Sequence, residues 1–570
     1  MSALSISASQ LVYNSRFPRR DARPCTRRSP LSAQEQRSSM PLASRFASRR
    51  LSSFALAAVL ACAALGPAPA AFARGGTKAE SQAQSPERAA KGKRAAKNGK
   101  AARVAKASVP AGPLPASVMT ALARAHVPLS SMSVVVQRIG APTPLVSINA
   151  NEPMLPASTM KLVTTYAGLS ILGPDYRWKT TAYADGQIDT QGVLRGNLYI
   201  QGTGDPKLVP EELIDLVDQI RKNGITGIDG ALVLDKRYFD ASTRDLPAFD
   251  NDDSAPYNVG PDPLLYAFKS LSFTLTPNAD GQVAIDVLPQ LAQLQIDNEL
   301  RVTRGACVGS LSAASPSVAQ TQGGFVQASF IGDYPLRCGS RTVNVAALDH
   351  STFFAGGFLA LWKQAGGTFQ GATREGPTPS GARLVGTHRS PVLSDVVRDI
   401  NKFSNNVMAR NLFLTIGAAQ LKPPATTAKS AAAIQSFLKR SALPMNGLAL
   451  DNGSGLSRDE HISAASLADL LQAANASPVA QVFVESLPIA GVDGTMRNRL
   501  TNAGAFGNAH IKTGTLRDVR AIAGYVGAAN GESYVIVSFI NDPRAEAARA
   551  AHDALLEWVY EGARKADLAE

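Results

Sequence analysis

Apolar and polar positions change their period several times along the 570 residues, and each change marks an element. Val118 to Ala125 repeats with a helical period, whereas Met132 to Gln137 and Leu145 to Ile148 read as two strands of a hairpin. Pro156 then precedes an apolar helical stretch that runs to Leu172, a normal way for a helix to begin. Between residues 182 and 384 the texture becomes short β-branched runs separated by Gly and Asp turns, such as Gly196–Ile200 and Ala231–Leu234. Two helical patterns interrupt it, at Glu211–Lys222 and Ser351–Gln364. Helical periodicity resumes at Leu393–Ile400 and Asn405–Ile416, and continues at Thr426–Arg440 and Ala464–Ala473. Ala521–Val526 and Tyr534–Ile540 read as strands, and Ala545–Glu561 as a closing helix.

Strands near both chain ends with helices between them predict an α/β (α+β) fold. Residues 111–181 and 385–565 should build one sheet flanked by helices, with an α-helical lobe. Residues 182–384 form a β-rich insertion, with a nested subdomain at about 271–345.

Charge alters this picture only at the N-terminus. The net charge is +13, yet residues 1–110 hold 20 Lys/Arg against 4 Asp/Glu, and the remainder 38 against 41. The folding part is near neutral, which argues against a nucleic-acid-binding domain. Arg45, Arg49 and Arg50 precede the apolar run Leu51–Leu65, followed by Pro67, Pro69 and Ala71-Phe72-Ala73. A basic segment, a short apolar core and an A-x-A site predict a secretory signal peptide over residues 1–73, cleaved after Ala73. Met40 is a candidate start, with the residues before it an over-called extension. The competing reading is lipoprotein processing at Cys62, from Val59-Leu60-Ala61-Cys62. Residues 74–110, rich in Ala, Lys, Arg, Gly and Ser, read as a disordered basic linker able to make weak contact with an anionic envelope. In an exported chain Cys307 and Cys338 are candidates for a disulfide, the alternative being two separate buried thiols. Six scattered His and no CxxC give no metal site, and no cofactor is expected.

Three short motifs carry the candidate chemistry. In Ser158-x-x-Lys161 two residues three apart share a helix face, placing an amine where it can take the hydroxyl proton. Lysine serves as that base when burial or a neighbouring positive charge lowers its pKa. The motif is not unique, since Ser436-Phe437-Leu438-Lys439 repeats it on an amphipathic helix and reads as a solvated face. In Ser404-Asn405-Asn406 a hydroxyl able to relay a proton lies beside an amide able to hold a carbonyl and the lysine. Ser147-Ile148-Asn149 is its decoy, in a predicted strand. Lys512-Thr513-Gly514-Thr515 occurs once, ahead of an apolar strand. Its Lys512 and Thr513 can bind a carboxylate, Gly514 admits a close backbone, and the amides of Thr515 and Ser158 can face an oxyanion.

The order S-x-x-K, S-x-N, K-T-G is the active-serine set of penicillin-binding proteins and β-lactamases. Beyond these motifs the chain resembles the class C low-molecular-mass penicillin-binding proteins, the D-Ala-D-Ala carboxypeptidase/endopeptidases, from about residue 114 to 562. Leu172–Thr180, Gly202–Pro206, Asp451–Arg458 and Leu487–Thr495 are similar to stretches of that family. Lys161 and Ser404 lie 243 residues apart, room for the large insertion that the resemblance implies. Asn405 departs from the Asp frequent at that place. The resemblance implies a penicillin-binding/β-lactamase-like transpeptidase fold. It makes Ser158 the nucleophile and Lys161 its base. Ser404 and Asn406 become relay and substrate holder, and Lys512 and Thr513 the carboxylate anchor. The implied partners are peptidoglycan stem peptides and acylating β-lactams, in the periplasm. A β-lactamase on this scaffold and an idle wall-binding scaffold are the alternatives.

Overall fold

The computed structural model describes residues 114–564 apart from 245–246, 308–313, 322–323, 444 and 446. The expected signal peptide, the basic linker, Met40 and Cys62 lie outside the described residues.

Five antiparallel strands form the central sheet in the order Val146–Ile148, Met132–Arg138, Ser533–Asn541, Val519–Gly527, Ala509–Leu516. Both chain ends contribute, because Met132–Arg138 pairs along its length with Ser533–Asn541. Alternate residues face opposite layers, as the strand period of two requires. Val134, Val136, Ile522 and Ile536 pack against the helices Ala116–Arg124 and Arg549–Tyr560. Val135, Ala523, Val535 and Val537 pack against the helical lobe. With both faces covered, these strands read as continuous apolar runs. The lobe contains the helices Lys161–Leu172, Leu393–Phe403, Asn406–Leu421, Thr427–Arg440 and Ala464–Asn475. The closing helix starts at Arg549, four residues later than its periodicity suggests, because Asp542 to Ala548 is taken up in turns. Among the described residues no helix is long and apolar enough to cross a membrane.

A second five-stranded sheet runs in the order Thr373–Glu375, Leu232–Asp235, Leu198–Gly202, Lys179–Ala184, Arg383–Arg389. It carries the helices Pro210–Lys222 and His350–Gln364 around a core that includes Leu213, Leu216, Phe354 and Trp362. Between Leu271 and Val345 lie two three-stranded sheets, and a disulfide joins Cys307 to Cys338.

Polar groups fasten this region to the lobe. Buried Asn411 donates to the carbonyls of Gly204 and Asp262 at 3.1 and 3.0 Å and accepts from the amide of Asp262 at 3.1 Å. The indole N–H of fully buried Trp178 donates to the hydroxyl of Thr415, one turn further along the same helix, at 2.8 Å. Replacing Asn411 with Leu strands three backbone groups away from water. Each costs about 1–3 kcal/mol, so Asn411→Leu should lower unfolding free energy by ~3 kcal/mol or more in a denaturant melt. A midpoint equal to that of the unaltered protein refutes this account of the junction.

Candidate active site

Ser158 lies in a single 3₁₀ turn, Ala157–Met160, that feeds the helix Lys161–Leu172. Residues three apart eclipse one another in such a turn, so Ser158 and Lys161 stand closer than an α-helix would put them. The Lys161 Nζ donates to Ser158 Oγ at 3.0 Å. Two further acceptors fix the amine, Asn406 Oδ1 at 2.6 Å and the Ser454 carbonyl at 2.5 Å. Lys161 is fully buried, and Ser158 is half-buried at the edge of the cleft. Burial, the Lys512 ammonium and the Arg410 guanidinium hold the Lys161 amine well below its usual range, while Glu460 opposes them.

The second motif occupies the corner between two helices. Ser404 terminates Leu393–Phe403 with left-handed backbone, φ 59° and ψ 34°. Asn405 caps the next helix, its side chain accepting from the Met408 amide at 3.1 Å. Asn caps a helix as well as Asp does, so the departure at this middle position keeps the cap. Asn406 is thereby the first helical residue. It faces Lys161 with its oxygen and donates its Nδ2 to the Tyr257 carbonyl at 3.0 Å.

The third motif sits within the edge strand Ala509–Leu516 rather than ahead of a strand. The register explains the difference, since Lys512 to Leu516 pair in sequence with Ala523 to Val519. Lys512 is fully buried, and burial brings its amine down to about 7. It donates to Ser404 Oγ and to the Thr513 carbonyl, each at 2.8 Å. The Thr513 hydroxyl donates to Thr495 Oγ1 at 2.8 Å. A Cβ on Gly514 would meet the Pro156 carbonyl at 2.8 Å and the Ala157 Cβ at 3.0 Å. Gly514 therefore seats the serine turn against the strand. Thr515 is exposed beyond it.

Ser158, Lys161, Asn406, Ser404 and Lys512 thus meet in one cleft, with Thr513, Gly514 and Thr515 along its strand wall. The decoys stay apart: Ser436 and Lys439 are exposed on their helix, and Asn149 donates to the carbonyls of Leu129 and Met132. Cys307 and Cys338 belong to the β-rich region and not to this cleft.

Sequence reasoning passed over Glu460 and Arg410. Fully buried Glu460 accepts from the amides of Asp451, Asn452 and Gly453 through Oε1 and from Gly455 through Oε2. Gly453 and Gly455 have φ of +72° and +80°, and a Cβ on Gly455 would collide with the Ala157 carbonyl. The loop can lie against the serine turn only with glycine there. Arg410, one helical turn after Asn406, donates to the carbonyls of Asn258 and Val259 at 3.1 and 2.7 Å. That i, i+4 spacing was visible in the sequence; the burial of Glu460 was not.

Comparison with known proteins places the cleft in a lineage. The family described as D-Ala-D-Ala carboxypeptidase 3 (S13) matches residues 114–561. A D-alanyl-D-alanine carboxypeptidase of Actinomadura sp. (strain R39) is 30% identical over 404 residues, 68% of this chain and 73% of that relative. The D-alanyl-D-alanine carboxypeptidase DacB of Haemophilus influenzae is 27% identical over 405 residues, 69% of this chain and 81% of its own. The crystal structure of penicillin binding protein 4 (dacB) from Haemophilus influenzae superposes with a TM-score of 0.64 at 26% identity, covering 77% of this chain and 99% of that one. The same protein has been crystallised with a β-lactam. Because the family match runs through both halves of the central sheet and everything between them, the chain belongs to the D-Ala-D-Ala carboxypeptidase 3 (S13) family.

Proposed function

We propose that this protein is a serine D-Ala-D-Ala carboxypeptidase and/or DD-endopeptidase that acts on peptidoglycan stem peptides and is acylated by β-lactams at Ser158. The observation that carries this reading is the placement of the Ser158 hydroxyl against a buried Lys161 amine whose other acceptors are Asn406 and Ser454. With its pKa depressed, the neutral Lys161 amine directs its two hydrogens to Asn406 and Ser454 and its lone pair to the Ser158 hydroxyl, whose proton it can accept.

The steps follow from that placement. Ser158 Oγ attacks the carbonyl carbon of the penultimate D-Ala as its proton passes to Lys161 Nζ. The amides of Ser158 and Thr515 face the developing oxyanion. The tetrahedral intermediate collapses with cleavage of the C–N bond, and the leaving amine takes the proton held on Lys161, relayed through the Ser404 hydroxyl, which accepts from Lys512. Lys161, neutral again, takes a proton from the water that attacks the acyl carbon and returns it to Ser158 Oγ as the ester C–O bond breaks. In its charged form Lys512, with Thr513, anchors the terminal carboxylate of the substrate. Asn406 holds the substrate amide.

The domain division we favour is a peptidase unit of residues 111–181 and 385–565 interrupted by residues 182–384. It is supported by the ladder between Lys179–Ala184 and Arg383–Arg389, which brings the two boundaries side by side. Export to the periplasm is supported by the basic segment, apolar run and A-x-A site at the N-terminus.

Ser158→Ala should cut D-Ala release from a pentapeptide by on the order of 10⁴-fold or more and abolish labelling by fluorescent penicillin. Unchanged release sinks the assignment, and rapid turnover of a chromogenic cephalosporin makes the protein a β-lactamase instead. The pH profile of kcat/KM should be a bell. Lys161 acts when neutral, so the rate falls as pH drops through its lowered pKa. Lys512 binds a carboxylate when charged, so the rate falls as pH rises above about 7 in the free enzyme. Bound substrate carboxylate favours the ammonium, so the alkaline limb of kcat should lie at higher pH than that of kcat/KM. Coincident alkaline limbs would contradict the role given to Lys512.

A further inference from the structure

A buried carboxylate, Glu460, and a half-buried guanidinium, Arg410, approach the catalytic lysine without contacting it. Glu460 lies at the end of the loop Asp451–Glu460 and gathers the amides of Asp451, Asn452, Gly453 and Gly455 onto its two oxygens, at 2.6–3.2 Å. The loop is gripped from outside as well. The Thr164 hydroxyl, on the nucleophile helix, donates to the Gly453 carbonyl at 2.7 Å, and Lys161 Nζ donates to the Ser454 carbonyl at 2.5 Å. Ser454 is itself tied down, its hydroxyl donating to Asn452 Oδ1 at 2.6 Å. One of the acceptors that orient the Lys161 amine is thus a backbone carbonyl, and its position depends on the carboxylate behind it.

Arg410 stands on the adjacent helix Asn406–Leu421. It lines, with Asp451, Asn452 and Asn258, a cavity of about 270 Å³ behind the loop. Its bonds to the Asn258 and Val259 carbonyls fix the guanidinium in place. The charged groups bearing on Lys161 come from three elements: Lys512 on the edge strand, Arg410 on the helix and Glu460 on the loop. Lys512 and Arg410 disfavour the ammonium, whereas Glu460 favours it. Burial pushes the Glu460 carboxyl upward and the Gly453 and Gly455 amides oppose this; a set of N–H donors on both oxygens is the environment of a carboxylate.

We propose that Glu460 is a positioning residue for acylation, fixing the loop whose Ser454 carbonyl holds the Lys161 amine against Ser158, and that half-buried Arg410 is the cation that offsets its charge at that amine. The inference rests on Ser158 and Lys161 as nucleophile and base. Glu460 supplies geometry at an electrostatic cost, because a bare carboxylate here would keep Lys161 protonated. Arg410 removes that cost while joining the lobe to the chain at Asn258–Val259.

The test is the second-order rate of Ser158 acylation by fluorescent penicillin, measured on the full-length protein from about pH 5 to 10, with a thermal melt of each variant. Glu460→Gln should acylate roughly tenfold or more slowly at its optimum. Its acid limb should move down by roughly one pH unit, because a charge that favours the ammonium is gone. Arg410→Gln should move the acid limb upward by a similar amount. Glu460→Asp keeps the charge and shortens the reach, so it should lose rate with its limb unmoved, and it decides the positioning role even if Glu460→Gln fails to fold. Wild-type rates in both Glu460 variants overturn the positioning role. Limbs of Glu460→Gln and Arg410→Gln that stay in place, or move in the same direction, overturn the electrostatic one. Absence of acylation in the unaltered protein would instead overturn the assignment of Ser158.

Discussion

The amines of Lys161 and Lys512 are both fully buried in one cleft, and the surrounding structure is organised by that constraint. A buried ammonium is costly unless it is well paired, and two of them repel each other. Here both amines donate to neutral oxygens: a serine hydroxyl, an amide and a carbonyl for Lys161, a serine hydroxyl and a carbonyl for Lys512. Neutral acceptors satisfy the donors without stabilising the charge as a carboxylate would. The result is an amine available as a base beside another that gains its proton most readily when an anion arrives.

Holding those acceptors requires close backbone approaches from several directions. Gly514 lets the serine turn rest on the edge strand, and Gly455 lets the Asp451–Glu460 loop rest on that turn from the other side. Lys402 pins the loop Leu487–Thr495, donating to the Leu487 carbonyl at 2.6 Å and to Asp493 at 2.7 Å, and that loop meets Thr513 through Thr495. These two glycines therefore serve packing that positions the chemistry. The β-rich region is part of the same arrangement. Its Tyr257, Asn258 and Val259 carbonyls receive Asn406 and Arg410, so one rim of the cleft is built by residues 149 to 152 positions away in the chain.

The order of the motifs and the helices beside the first two were legible in the sequence, because each depends on local periodicity and on residue types with few other uses; the third was read as leading a strand, and only the register with Val519–Gly527 puts it inside one. The two-ended sheet was legible too, since apolar strand runs occur near both ends. Boundaries were less so: the closing helix starts at Arg549 because turns, not periodicity, occupy Asp542 to Ala548. The Cys307–Cys338 bridge remained one of two readings, since spacing alone does not say whether two thiols meet.

What the sequence by itself determined is the chemical inventory and its order: a serine with a lysine three residues on, then a serine and an amide two apart, then a lysine, a threonine and a glycine in a row. What only the tertiary structure decided is what company Lys161 keeps. Glu460 and Arg410 are 50 residues apart and unremarked as letters. Their influence comes from burial and distance, and electrostatic interactions in a low-dielectric interior depend on where groups end up rather than on what precedes or follows them. Ser158 is singled out in the same way, by an amine, an amide and a carbonyl that arrive from three separate parts of the chain.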